Sequence, residues 1–157
     1  MRLVTTNLTL NGRPLSAEAP AHYTLLRWLR DRAAAYEVKE GCGEGVCGAC
    51  TVLVDGLAVS SCCLLAAQLD GAEVCTVRSL ASQDGNLDSL QQCFWEAGAS
   101  QCGFCTPGML LAATALLSGG NRPTNLEIRE ALHGNLCRCT GYQAIVDAVT
   151  RAIEARV

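Results

Sequence analysis

Residues 3–10 are rich in Val, Thr and Leu, the composition of a strand. Asn11-Gly12 follows, and both residues tolerate positive φ, so a hairpin turn is predicted with a return strand over 15–19. Thr24 can cap a short helix over 25–32 that turns Leu25, Leu26, Trp28 and Leu29 inward. A glycine-rich loop occupies 41–48. Thr51-Val52-Leu53-Val54, the turn Asp55-Gly56 and Leu57-Ala58-Val59 predict a second hairpin, and 73–77 a last strand.

The pattern then changes from β-like to α-like. Residues 82–86 are polar and read as a linker. Leu87, Leu90, Phe94 and Ala97 share one helical face. Thr106-Pro107 is an N-cap followed by proline at the first helical position, opening a helix that ends near Ser118-Gly119-Gly120. Thr124-x-x-Glu127 is a capping box for a helix reaching about Leu132. Ile145, Val146, Val149, Ala152 and Ile153 mark a final amphipathic helix. The predicted organisation is therefore two small units, 1–80 and 81–157, without a long internal repeat or a low-complexity tract.

Composition narrows the class. Half of the 157 residues are apolar, enough for a buried core, but aromatics are only 4%, so Ala, Leu and Val must fill it. A net charge of −3 gives no basic surface for nucleic acid. The apolar stretch 109–117 is far shorter than the ~20 residues that span a bilayer. The opening residues lack the apolar core of a signal peptide, so a cytoplasmic chain without a membrane span is expected. Eleven cysteines in a reducing compartment are better explained by metal ligation than by disulfides.

The first cysteine group is Cys42-x4-Cys47-x2-Cys50, with Cys62 farther along. This is the plant-type 2Fe–2S spacing. Three thiolates must converge from one loop, and Gly41, Gly43, Gly45 and Gly48 give that loop room to wrap. Their N–H groups can also hydrogen-bond sulfur and so tune the potential. A zinc site would more often pair two short C-x2-C knuckles. Cys62 is followed by Cys63, and neighbouring side chains on a strand face opposite ways, so one of the two should face the cluster. Spacing alone does not choose between them.

The second group is Cys102-x2-Cys105 and Cys137-x1-Cys139, each pair just before a predicted helix. Helix starts favour thiolate charge and offer free N–H groups. Two facing helix starts would make a four-thiolate cage. A zinc site and a redox-active dithiol at Cys102/Cys105 compete, although no parallel βαβ pattern surrounds that pair.

Four segments occur in order between residues 40 and 142. They are Glu40-Gly41-Cys42-Gly43-Glu44-Gly45-Val46-Cys47-Gly48-Ala49-Cys50-Thr51-Val52, Ser61-Cys62, Gln101-Cys102-Gly103-Phe104-Cys105-Thr106-Pro107-Gly108-Met109, and Asn135-Leu136-Cys137-Arg138-Cys139-Thr140-Gly141-Tyr142. Together they resemble the small iron–sulfur subunit of molybdenum hydroxylases, the family of xanthine dehydrogenase, aldehyde oxidoreductase and carbon monoxide dehydrogenase. The resemblance implies an α+β fold, with an N-terminal plant-ferredoxin-like β-grasp domain and then an all-α four-helix domain. It implies that Cys42, Cys47, Cys50 and Cys62 hold one 2Fe–2S cluster, nearer a flavin, and it favours Cys62 over Cys63. It implies that Cys102, Cys105, Cys137 and Cys139 hold the other, nearer a molybdenum–pterin cofactor, with Gln101 hydrogen-bonding that pterin and Cys139 beside it. The molybdenum cofactor would belong to a large subunit and FAD to a medium subunit, unless a cytochrome is the acceptor. A dimer of heterotrimers is the implied assembly. The first loop lacks the Cys-Asp-Thr-Ser-x-Cys of carbon monoxide dehydrogenases, which leans toward hydroxylases of aldehydes, purines and other N-heterocycles.

The expected role is an electron relay with no catalytic residue of its own. Substrate oxidation at molybdenum releases two electrons, a 2Fe–2S cluster accepts one, and two in series pass the pair singly. His22 and His133 read as surface or capping residues, His133 closing a helix where a cation is favourable. Cys63, Cys75 and Cys93 read as core residues. Glu40 and Glu44 flank the first cluster, and Arg138 sits between two ligands. The rival classes are a zinc-stabilised adaptor and a thiol–disulfide oxidoreductase acting through Cys102 and Cys105.

Overall fold

The computed structural model describes residues 2–82, 84–120 and 122–155. Strand β1 (Leu3–Leu10) turns at Asn11-Gly12, both at positive φ, and returns as β2 (Arg13–Pro20) with Leu3 opposite Pro20 and Leu10 opposite Arg13. The turn is the predicted one. The return strand is longer than 15–19 because pairing runs to the strand ends. Helix α1 (Leu25–Arg32) starts where Thr24 accepts the Arg27 N–H at 3.3 Å, and it buries Leu25, Leu26, Trp28 and Leu29 as expected. Strands β3 (Thr51–Val54) and β4 (Leu57–Ser60) form the second hairpin around Asp55-Gly56.

The last strand, β5 (Glu73–Cys75), stops short of the predicted 73–77. Thr76 leaves the sheet because its side chain is committed elsewhere. Its N–H reaches Asn11 Oδ1 at 2.8 Å and its hydroxyl donates to Glu37 Oε1 at 2.8 Å. Val77–Ser79 is then a single 3-10 turn. The sheet order is β2-β1-β5-β3-β4, with β5 parallel to β1 and antiparallel to β3. Leu8, Ala19, Val52 and Val74 from the sheet meet the apolar face of α1 in the first core.

Ser82 carries a tight turn, accepting the Gly85 N–H and donating to Asn86 O. The linker predicted over 82–86 lies here, its residue 83 outside the described residues. Helix α2 (Ser89–Glu96) is capped by Asp88 and Gln91 in a reciprocal box. Its inward face is Leu90, Cys93 and Phe94; Leu87 precedes the helix and is half exposed, and Ala97 closes it. Helix α3 (Thr106–Ser118) begins one residue before the predicted start: Cys105 is the cap, and its carbonyl accepts the Met109 N–H at 3.0 Å. Helix α4 (Asn125–Leu132) has the Thr124/Glu127 capping box and ends at His133. Helix α5 (Gln143–Glu154) buries Ile145, Val146, Ala148, Val149 and Ala152. Among the described residues the architecture is α+β, a five-stranded mixed sheet with α1 packed on it, followed by the four helices α2–α5. Among the described residues no helix is long and apolar enough to cross a membrane.

Helix α3 is apolar all round because it is covered all round. It packs against α2 and α4 and also against β3 and β4. The contact with the sheet is backbone on backbone. A Cβ at Gly108 would collide with the Gly48 carbonyl, and a Cβ at Gly48 would collide with the Gly134 carbonyl. Asn135, 5% exposed, locks this seam by donating to Gly48 O at 2.9 Å and to Thr51 Oγ1 at 3.1 Å. A buried neutral hydrogen bond contributes about 1 kcal/mol. Asn135→Ala is therefore expected to lower stability by about 2 kcal/mol through its two lost bonds, read as an earlier urea midpoint.

Candidate metal centres

The β3–β4 hairpin builds half of the first centre. Pairing Thr51 with Ser60 brings the residues just beyond, Cys50 and Ser61, to the same open end. The buried Ser61 hydroxyl donates to Cys50 O at 2.7 Å, and the Cys50 and Cys62 thiols meet as hydrogen-bond partners. Helix α1 fixes the same segment from the other side, since Leu25 N–H bonds Leu64 O at 2.7 Å and Ala66 N–H bonds Tyr23 O at 3.0 Å. Ser61–Cys63 is a 3-10 turn rather than a strand, so strand alternation does not decide between Cys62 and Cys63. Burial does separate them: Cys62 is inside against Cys50, and Cys63 is exposed.

The glycine loop builds the other half. Cys42 Sγ accepts the N–H groups of Glu44 at 3.4 Å, Val46 at 3.3 Å and Cys47 at 3.4 Å. Those donors, the Glu44 N–H foremost, bring the Cys42 thiol down to about 6. The loop closes this tightly only because Gly45 sits at φ +81°, a conformation costly for a residue with Cβ. Its N–H is aimed at Cys62, which joins the two halves. Burial pushes the thiols of Cys50 and Cys62 up. Cys42 and Cys47 form a second contacting thiol pair.

The second centre is assembled from two segments that precede helices. Cys105, the buried cap of α3, meets Cys137, and Cys102 lies 3.6 Å from Cys139 Sγ to Sγ. Burial, then the neighbouring Cys137, pushes the Cys105 thiol up to about 12. Burial alone would raise Cys137 as well. The Thr140 hydroxyl at 3.1 Å and N–H at 3.4 Å, with the Cys139 amide, outweigh it and bring that thiol down to about 7. Cys139 is pushed up by its partner Cys102. Tyr142 holds the turn: it adopts φ +69°, and its hydroxyl accepts the Cys137 N–H at 2.9 Å. A non-glycine residue is held in that region only where the surroundings fix it. Cys102, Cys139, Gln101 and Phe104 are all exposed on this side.

Among the described residues no three His, Cys, Asp or Glu side chains are placed to share a single metal ion. The arrangement is one of thiol pairs: Cys42/Cys47 with Cys50/Cys62, and Cys102/Cys139 with Cys105/Cys137. A 2Fe–2S core has two irons, each taking two of its four thiolates. The donor type, the pairing and the N–H groups aimed at sulfur all fit such a core.

The other predicted residues are placed as follows. Cys93 is in the helical core and Cys75 is half buried on β5, but Cys63 is exposed, which corrects its assignment to the core. His22 is an exposed residue stacked edge-on against Tyr23, and His133 is the C-cap of α4. Glu40, Glu44 and Arg138 are exposed. Sequence reasoning missed Asn135, Thr140 and Tyr142 as supports of the centres. The mixed polarity of Asn135-Leu136-Cys137-Arg138-Cys139-Thr140-Gly141-Tyr142 was the only signal of them.

Two family models match in tandem: a 2Fe–2S iron–sulfur cluster binding domain over residues 8–81 and a [2Fe–2S] binding domain over 76–150. Fold and sites thus define an iron–sulfur electron carrier with two cluster-binding domains. The nicotinate dehydrogenase small FeS subunit of Eubacterium barkeri is 51% identical over 98% of both chains. The xanthine dehydrogenase iron–sulfur-binding subunit of Escherichia coli O157:H7 is 47% identical over 93% of this chain and 92% of that one. Quinoline 2-oxidoreductase from Pseudomonas putida 86 superposes with a TM-score of 0.93 at 42% identity, over 99% of this chain and 96% of that one. The aldehyde oxidoreductase of Desulfovibrio desulfuricans superposes at 0.92, there as 17% of a longer chain. The chain belongs to the small iron–sulfur subunits of molybdenum hydroxylases.

Cys42 gives a test of the loop without iron. Its thiol sits near 6 when folded, against 9.0 for the free group, so folding favours its thiolate. The stability this contributes is fully present above the unfolded value and fades as pH falls through about 6. In the iron-free chain, alkylation of Cys42 is expected to stay fast down to about pH 6, whereas buried Cys50 and Cys105 stay unreactive. Mass mapping of the labelled cysteines reads this out.

Proposed function

We propose that Cys42, Cys47, Cys50 and Cys62 hold one 2Fe–2S core and Cys102, Cys105, Cys137 and Cys139 the other, in units divided near residues 80 and 81. Each bound core takes up and gives back one electron at a time. Two separate hydrophobic clusters, one under the sheet and one among the helices, support the division, although Val77 and Leu80 already pack on the helical side.

The observation that carries the relay role is one hydrogen bond. Leu136 N–H donates to Cys47 O at 2.9 Å. Leu136 is bonded to Cys137 and the carbonyl belongs to Cys47, so a short run of covalent bonds and one hydrogen bond joins a ligand of each centre. Gly48 and Gly108 permit that approach.

Exposure supports an order. Cys102 and Cys139 are exposed with Gln101 beside them, the side on which a large subunit can bring its molybdenum–pterin cofactor. Gln101 would donate to or accept from the pterin, and half-exposed Phe104 and Leu136 would give apolar contact to that subunit. At the other end, a surface cavity of about 400 Å³ lined by Arg27, Arg30, Asp31, Gly43 and Cys62 lies beside the first centre. An acceptor, FAD in a medium subunit or a cytochrome, would take electrons there. The relatives' names include nicotinate, nicotine, caffeine and xanthine. We accordingly assign the complex an N-heteroaromatic substrate, bound outside this chain, in a cytoplasmic dimer of heterotrimers.

The complex purified without air is expected to be red-brown with about four irons and four sulfides per copy of this chain, and to show two unlike paramagnetic signals on reduction. A colourless protein with stoichiometric zinc would overturn the assignment. Gln101→Ala should leave both dithionite-reduced signals intact but slow their appearance when substrate is the reductant. Unchanged substrate-driven reduction would remove Gln101 from the pterin contact.

A further inference from the structure

Cys63 is not among the eight paired thiols, is not in the core, and nevertheless touches one of the pairs. Its Sγ lies 3.8 Å from Cys62 Sγ. It is exposed at the end of the Ser61–Cys63 turn. On its other side is Gly45, where a Cβ would come within 2.6 Å of the Cys63 sulfur. Cys63 is thus set between the glycine loop and Cys62, in a space that exists because residue 45 has no side chain.

The donors around the first centre are unevenly shared. Cys42 receives three backbone N–H groups from the loop. Cys62 receives the Gly45 N–H alone from that loop. As an iron ligand Cys62 is a thiolate and has no proton to give, so the direction of its contact with Cys63 is fixed. Only the Cys63 S–H can donate.

We propose that Cys63 is a potential-tuning residue for the first centre, donating its S–H to the Cys62 ligand sulfur and so favouring the reduced state of that centre. This rests on the reading of Cys62 as a ligand. A donor to a ligand sulfur stabilises the more negative, reduced form and raises the reduction potential. No bond is made or broken: one electron enters or leaves, and the proton stays on Cys63. The effect works in the direction of electron flow, since it makes the first centre the better seat for an electron arriving from the helical centre.

The test is a redox titration of the intact complex followed by electron paramagnetic resonance. Cys62→Ser first identifies the first centre's signal as the one it alters or abolishes. In Cys63→Ala that same signal is expected at full intensity with a more negative midpoint. The reduction equilibrium should change several-fold and at most about tenfold, which is about 59 mV for one electron. The second signal should not move. Cys63→Ser should recover part of the shift, because a hydroxyl also donates. An unchanged midpoint in Cys63→Ala, or an equal shift of both signals, would overturn the tuning role while leaving Cys62 as ligand. Loss of the signal in Cys63→Ala with its retention in Cys62→Ser would overturn the ligand assignment itself.

Discussion

Two backbones lie closer together than side chains allow at the seam between sheet and helices. Gly108 on α3 faces the carbonyl of Gly48, and Gly48 faces the carbonyl of Gly134. Each approach requires a residue without Cβ. The seam puts the end of the cluster loop against the segment that carries Cys137 and Cys139. Asn135 then satisfies the polar groups buried there, and Leu136 reaches the Cys47 carbonyl. The two glycines thereby permit a short bonded connection between the segments that carry Cys47 and Cys137. The geometry of electron passage is in this sense a steric property of residues that bind nothing.

The second constraint is charge. Four thiolates around one site repel each other, and a chain that holds them must supply donors. The two sites do this differently. The loop turns three N–H groups onto Cys42 by coiling around it. The helical site uses side chains and turn strain: the Thr140 hydroxyl and N–H meet Cys137, and Tyr142 is held at φ +69° with its hydroxyl on the Cys137 amide. In each site one sulfur of low proton affinity, Cys42 or Cys137, stands near buried sulfurs of high affinity, Cys50 and Cys62 or Cys105. Burial favours the protonated form of the inner sulfurs, and iron bound as proposed would hold them as thiolates. Metal binding and folding would then be coupled.

Most of the architecture could be read from local signals. Asn11-Gly12, Asp55-Gly56, the Thr124/Glu127 box and the apolar face of α5 each act within a few residues, and each is where it was expected. What escaped is partly long-range and partly a matter of local backbone geometry. The strand at 73–77 ends early because Asn11 and Glu37, far away in sequence, bind Thr76. Helix α3 starts at Thr106 because its cap is Cys105 itself. The Cys62/Cys63 doublet could not be resolved by alternation, since the segment is a 3-10 turn. Asn135 and Tyr142 looked like parts of a motif, and their roles appear only when the partner segments are placed beside them.

The exposure pattern gives the relay a polarity. In the helical site the exposed pair is Cys102/Cys139 and the inner pair is Cys105/Cys137. Cys137 leads through Leu136 to Cys47, in the Cys42/Cys47 pair of the loop site. The remaining pair, Cys50/Cys62, includes Cys62, a residue that lines the surface cavity. On the proposed ligand set, the four pairs form a single series through which each site could be entered by one pair and left by the other. Cys63 touches Cys62, in the last member of that series. A donor placed there would act on the potential of the first centre as a whole, which makes that position an effective place to set the direction of flow.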